Sequence, residues 1–253
     1  MFVDSHCHLN YLEMPDEKIS MAKDVGVDTI LCVGVEKSRI DEVITLANNH
    51  VEVWCSVGEH PDGATGEPDW IEQHLTDTKV VAVGETGLDY YHDDNEELRA
   101  RQKAGFDYQL NLSNSYNLPI IVHTRSAEKD TIDLIKNHPG VGGVLHCFTE
   151  SWSMAERALE LGFYISISGI VTFKNADQVK EVAKRIPEDR LLIETDAPWL
   201  APVPKRGKTN EPSNVVHTAA YIASLRDETI ESVAQLTKKN FHELFWKTLQ
   251  SVR

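Results

Sequence analysis

No apolar run in this chain comes near the length of about eighteen residues that a membrane-spanning helix needs, and the acidic Asp4 stands where a secretory leader would be basic. Neither a span nor a signal peptide is expected, and the cytoplasm is the default location. Cysteine is scarce, and Cys7, Cys32, Cys55 and Cys147 form no C-x-x-C pair. They read as reduced thiols in or beside strands, not as a disulfide framework. Cys7 and Cys147 adjoin histidines discussed below, but strand alternation turns them to the opposite face, which disfavours zinc–thiolate ligation. Basic charge is also short: 25 Lys and Arg against 40 Asp and Glu leave a net −15. A long basic track for a polyanion is thereby excluded. Any phosphate must be met locally, and bound divalent cations can reverse the potential of a site without changing the chain's own charge. No linker, low-complexity segment or internal sequence repeat divides residues 1–253, so a single domain is expected.

What is present is an alternation. Short Val/Ile-rich runs recur near residues 2–4, 28–33, 51–57, 79–84, 119–123, 142–146, 163–168 and 190–195, separated by longer stretches of helical spacing. In 37–49, Ile40, Val43, Ile44 and Ala47 share a face. Segment 95–117 opens on Asn95 as N-cap with Glu96 and Glu97 in its first turn, and 228–250 carries Ile230, Val233, Ala234, Phe241, Leu244 and Phe245 on one stripe. Eight strand–helix units in a chain of 253 residues predict a (β/α)8 TIM barrel. A doubly wound sheet is the alternative, because periodicity alone cannot close a barrel.

The ends of these runs hold metal-binding chemistry. Phe2-Val3 leads into Asp4-Ser5-His6-Cys7-His8, and an H-x-H on a strand puts two imidazoles on one face. Glu85 follows Val80–Gly84, His123 follows Ile120-Ile121-Val122, His146 follows Val144-Leu145, and Asp196 follows Leu191–Thr195. With His60, these residues would lie on the C-terminal rim, where barrels of this kind build their sites. Any one histidine could simply cap a strand; all of them on one rim would need several independent accidents. His50, His74, His92, His138, His217 and His242 lack the pattern and read as surface or structural residues. Four imidazoles and two carboxylates exceed the needs of one tetrahedral ion, whereas two ions sharing a bridging carboxylate would use them all. Such a pair can lower the pKa of a bridging water and hold the attacking and leaving oxygens of a displacement at phosphorus.

The motifs Asp4–Leu9, Gly84–Tyr90, Val122–Arg125, His146–Phe148, Glu194–Pro198 and Asn210–Pro212 resemble, over essentially the whole chain, the TatD-like metal-dependent deoxyribonucleases of the wider metal-dependent hydrolase barrels. The resemblance implies His6, His8 and Asp196 on one divalent ion, His123 and His146 on the other, and Glu85 between them. It also implies hydrolysis of nucleic-acid phosphodiesters by an exonuclease trimming strands from the 3′ end with Mg2+ or Mn2+. Histidine-rich coordination favours Zn2+ by affinity. Thr86 stands where the family commonly has a branched aliphatic residue, which puts nothing catalytic in doubt.

Asp196 could orient the bridging water and take its proton. Arg125, two residues past His123, is either a bidentate phosphate clamp or a salt bridge on the rim. His60 could contact phosphate or protonate the leaving oxygen, or hold its loop before Pro61. Asp89 is expected to orient a ligand histidine. Tyr90, Tyr91, Phe148, Phe173 and Trp199 could stack on bases or anchor loops, and Lys205, Arg206 and Lys208 in a proline-bounded loop are expected to contact a phosphate backbone. The leading expectation is a nuclease of DNA, possibly RNA, acting as a monomer. The alternatives are a hydrolase of a carbon centre (amide, lactone or aminoacyl-tRNA ester) and a non-catalytic barrel scaffold. A modified lysine commonly bridges the metals of amidohydrolase barrels at the fourth strand, where this chain has Glu85, and the intact ligand set weighs against a scaffold.

Overall fold

The computed structural model describes residues 1–91 and 95–252. Its eight strands are β1 (Phe2–Cys7), β2 (Val27–Val33), β3 (Val53–Val57), β4 (Val80–Asp89), β5 (Ile120–Arg125), β6 (Gly143–Leu145), β7 (Tyr164–Ile167) and β8 (Leu191–Ile193). They form one parallel sheet in sequential order. A doubly wound sheet reverses its strand order at a switch point; this one does not. Closure is made just past β8, where the Asp196 N–H donates to the His6 carbonyl at 2.9 Å and the His8 N–H to the Ala197 carbonyl at 2.8 Å. The helices are α1 (Pro15–Asp24), α2 (Ile40–Asn49), α3 (Glu96–Tyr116), α4 (Glu128–Lys136), α5 (Trp152–Glu160), α6 (Asp177–Arg185), α7 (Val215–Arg226) and α8 (Ile230–Leu244). None is long and apolar enough to cross a membrane.

Alternation along the strands separates two cores. Residues such as Ile30, Val53, Val80, Ile120, Ile165 and Ile193 pack with the helices in one cluster. Val3, Leu31, Val81, Ile121, Val144 and Leu192 form the second, joined by Phe241, Leu244 and Phe245 at the end of α8. The expected cap of α3 is in place: the Asn95 side chain accepts from the Glu97 N–H and starts the helix.

Two irregularities aim side chains at the site. Between β1 and β2 the pairing passes from Asp4–Ile30 to Cys7–Cys32, so β1 carries one extra residue next to His6. Between β4 and β5 it passes from Val83–Ile120 to Thr86–Val122, and the extra residue falls at Gly84-Glu85. Bulges of this kind redirect a side chain at the cost of a local ladder bond. Gly84 and Gly87 make the second one possible, with φ of 134° and 131° and with their Cα atoms packed against the backbones of Ile121 and His123, where a Cβ would collide. The strand therefore does not end before Glu85, as its apolar run predicts, but continues through Glu85 to Asp89.

Candidate metal centre

All six expected ligands converge. His6 and His8 come from the end of β1, Glu85 from the β4 bulge, His123 from β5, His146 from the residue after β6, and Asp196 from three residues past β8. His6 Nε2 lies 3.2 Å from His8 Nε2, 3.3 Å from Glu85 Oε2 and 3.8 Å from Asp196 Oδ1. His8 Nε2 stands 3.7 Å from Glu85 Oε2 and 3.5 Å from Asp196 Oδ1. The other oxygen of the same carboxylate, Glu85 Oε1, lies 3.3 Å from His123 Nδ1, 2.7 Å from His146 Nε2 and 3.4 Å from His60 Nε2. His60 thus joins the cluster, although it sits on the loop after β3.

The partners of the far ring nitrogens assign the near ones. His8 Nδ1 can only donate to the Val33 carbonyl at 3.1 Å, which leaves the Nε2 lone pair facing the centre. His123 Nε2 donates to Asp89 Oδ2 at 3.0 Å, which leaves Nδ1 free, the orienting role expected of Asp89. His60 is the reverse: its Nδ1 accepts from the Asp62 N–H at 3.2 Å, so Nε2 carries the proton toward Glu85. One ring nitrogen of His60 makes a loop-holding bond, one of the two expectations for it, and the other faces Glu85 at 3.4 Å.

The donor set fits divalent cations. His146 Nε2 is close to Glu85 but not aligned with it as a hydrogen bond, and it, His6 Nδ1 and His146 Nδ1 are buried without a hydrogen-bond partner. Burial opposes charge on Glu85, yet the imidazoles that face it, His146 and His60 first, outweigh it and hold the carboxyl well below its usual range. Asp196 is likewise lowered, burial being overcome by His8 and His6. Burial pushes His60 down to about 4 against the pull of Glu85, so its ring is neutral at pH 7. Two ionised carboxylates facing imidazole lone pairs suit divalent ions. Three trios in the cluster bring ligand atoms within 4.8 Å of one another: His6, His146 and Asp196; His6, His8 and Glu85; His60, Glu85 and His123.

The centre opens into a cavity of about 780 Å3 walled by His8, Tyr11, Glu36, Arg125, Cys147 and Trp199 among others. Arg125 is the one Lys or Arg among those lining residues. It makes no ion pair among the described residues; its guanidinium stacks 3.7 Å from the centre of the Tyr91 ring. The rim salt bridge, one of the two readings of Arg125, is not formed there. Trp199, 48 % exposed, stands 5.2 Å from the His8 ring. Tyr91 is also exposed, whereas Phe148 is core, Phe173 lies under Arg206, and Tyr90 is half-buried with its hydroxyl on Asp130.

Several expectations need correction. Lys205, Arg206 and Lys208 do not line the cavity, because Val203 is tied to Thr172 and Arg206 lies on Phe173, folding the loop against the segment after β7. Cys147 is not turned away from the site: β6 ends at Leu145, Cys147 takes φ 42°, and alternation no longer governs it. Its thiol donates to Ser168 Oγ at 3.2 Å, burial pushes its pKa well up, and it belongs to none of the ligand trios. All four cysteines are free. His50 and His138 pair with Asp16 and Asp107 as surface residues, and His92 lies outside the described residues.

Asp4 and Glu194 carry weight that their motifs did not reveal. Asp4 is wholly buried and accepts from the Thr195 N–H at 2.8 Å and its hydroxyl at 2.5 Å. With Asn210 donating to the Thr195 carbonyl at 2.8 Å, it braces the residue before Asp196, itself held at φ 57°. Burial raises the Asp4 pKa to about 8 despite the Thr195 bonds. Only the Asp4-to-Thr195 separation of 191 residues hid this pairing. Glu194 lies behind His146, its Oε1 3.5 Å from the ring Nδ1.

A family profile for TatD related DNase matches residues 3–246. The chain is 42% identical to the uncharacterized metal-dependent hydrolase YabD of Bacillus subtilis (strain 168), over 97% of this chain and 99% of that one. It is 41% identical to the uncharacterized metal-dependent hydrolase YcfH of Escherichia coli (strain K12), covering 99% of each. Among solved structures it resembles YJJV, a TatD homolog from Escherichia coli K12, with TM-score 0.88 and 32% identity over 96% of this chain and 97% of that one.

Proposed function

The chain belongs to the TatD related DNase family of metal-dependent hydrolases, and from that premise we propose that it hydrolyses phosphodiester bonds at single-stranded nucleic-acid ends, trimming DNA from the 3′ end, with two divalent ions. One observation carries this reading: the two oxygens of Glu85 face different histidine sets, Oε2 toward His6 and His8 and Oε1 toward His123 and His146. A carboxylate so shared suits a bridge between one ion on His6, His8 and Asp196 and another on His123 and His146. Ions held there would supply a water of lowered pKa and positive charge for a phosphate's oxygens.

The chain's own groups complete the chemistry. Asp196, kept ionised, accepts the proton of the attacking water. His60 lines the cavity with a neutral ring whose N–H is on Nε2, beside Glu85, and such a donor suits a phosphate oxygen or the leaving oxygen. Arg125, braced on Tyr91, offers the fork that matches a phosphate. Glu36, Asp62, Glu85 and Asp196 also border the cavity, so an anionic substrate enters only when cations offset them.

The test is a panel of single-stranded DNA, RNA, aminoacyl-tRNA and small amides with metal-stripped protein and added Mg2+, Mn2+ or Zn2+. Release of 3′-terminal nucleotides from DNA upon metal addition is expected. Turnover of the amide or aminoacyl ester with none of DNA would overturn the reading in favour of a carbon-centred substrate.

A further inference from the structure

Glu194 has no part in the chemistry above. It directly follows β8, with its backbone N–H on the Ile167 carbonyl, and its side chain is wholly buried. No donor among the described residues meets either carboxylate oxygen in hydrogen-bond geometry. The two donors of neighbouring Thr195 are both committed to Asp4. What lies nearest is His146 Nδ1, 3.5 Å from Glu194 Oε1 and itself without a hydrogen-bond partner. A buried carboxylate is costly unless something offsets it, and a glutamine or an apolar side chain would serve stability better.

The orientation of His146 supplies a reason. Its ring stacks on that of His6, with centroids 3.8 Å apart and planes 8° from parallel. Stacking fixes the plane of a ring but is indifferent to a flip about the Cβ–Cγ bond, which would put ring carbons where the two nitrogens stand, and to which nitrogen carries the proton. Asp89 decides the equivalent choice for His123 through its 3.0 Å bond. We infer that Glu194 is the positioning residue for His146, drawing the Nδ1 proton away from the centre so that the Nε2 lone pair faces Glu85. Carboxylates behind metal-bound imidazoles act in this way. The inference rests on the reading of His146 as a metal ligand.

That arrangement sets loading against stability, which a merely structural side chain would not do. Glu194→Gln keeps the size of the side chain and breaks no hydrogen bond among the described residues, so it should leave the stripped protein intact. Metal-stripped Glu194→Gln should unfold at the same temperature as the stripped wild type or higher, while its Zn2+ and Mn2+ affinity, measured by calorimetric titration, falls on the order of 10–100-fold. Glu194→Ala should show the same loss of affinity, and excess metal should restore the occupancy of both variants. Equal affinity in wild type and Glu194→Gln would overturn the inference, as would a stripped Glu194→Gln protein destabilised as much as the metal-saturated one. Wild type that takes up no metal would instead sink the metal-centre reading on which the inference rests, so the two failures are distinguishable.

Discussion

At the scale of single residues, Glu85 and Asp196 do different work, and their variants should separate. Glu85 touches both halves of the centre through different oxygens, so Glu85→Ala should lose both ions and drop turnover beyond the 10–100-fold that loss of an outer partner typically costs, roughly speaking. His8 contributes to one half alone, and His8→Ala should keep the ion on His123 and His146. Metal content by elemental analysis beside the turnover of each variant checks this. Two ions and a near-normal rate in Glu85→Ala would end the binuclear assignment. Asp196→Asn keeps a coordinating oxygen but loses the acceptor for a proton. It should lower kcat by about 10²–10⁴-fold while KM changes far less and at least one ion stays bound. Unaltered kcat would leave Asp196 a ligand only.

At the scale of elements, the β4 bulge connects sequence to site. Gly87 has φ 131° and its Cα lies against the backbone of His123, so Gly87→Ala must move either β4 or the strand bearing a ligand. The strained backbone alone costs on the order of 1–3 kcal/mol. Urea unfolding should therefore show a lower midpoint at unchanged slope, with metal content falling as well. A variant with wild-type midpoint and metal would show that the bulge tolerates a side chain. The same bulge marks how far the sequence can be read. All eight strands are legible because Val/Ile runs bounded by polar residues report burial directly, and the convergence of the six proposed ligands is legible because they follow such runs. The passage of β4 beyond Glu85 is not, since a bulge turns on pairing register, which no local pattern records. Cys147 departs from expectation for a related reason: alternation does not extend past the end of β6. Asp4 and Glu194 stand in plain motifs, but their partners, Thr195 and His146, are far away in the chain, and only closure of the barrel brings them together.

At the scale of the whole molecule, a net charge of −15 must be reconciled with the nucleic-acid substrate proposed above. Lys205, Arg206 and Lys208 are not among the residues that line the cavity, and Arg125 is the one Lys or Arg that is. Few phosphates can then be engaged outside the centre. For a single strand, log K falls by roughly 0.7 per neutralised phosphate for each log unit of salt, so the slope should correspond to only a few contacts, and Arg125→Ala should reduce it by about one contact's worth. The geometry of entry points the same way. The proposed ligands lie in a walled cavity, which receives the end of a strand more readily than its middle, and Trp199 beside His8 would offer an exposed ring to an unpaired base. End-labelled linear strands and a closed circular single strand, digested at several salt concentrations with wild type and Arg125→Ala, test both consequences together. The linear strand should shorten from its 3′ end while the circle persists. Rapid cutting of the circle, or a slope demanding a long phosphate footprint, would mean that the substrate binds along a surface other than this cavity.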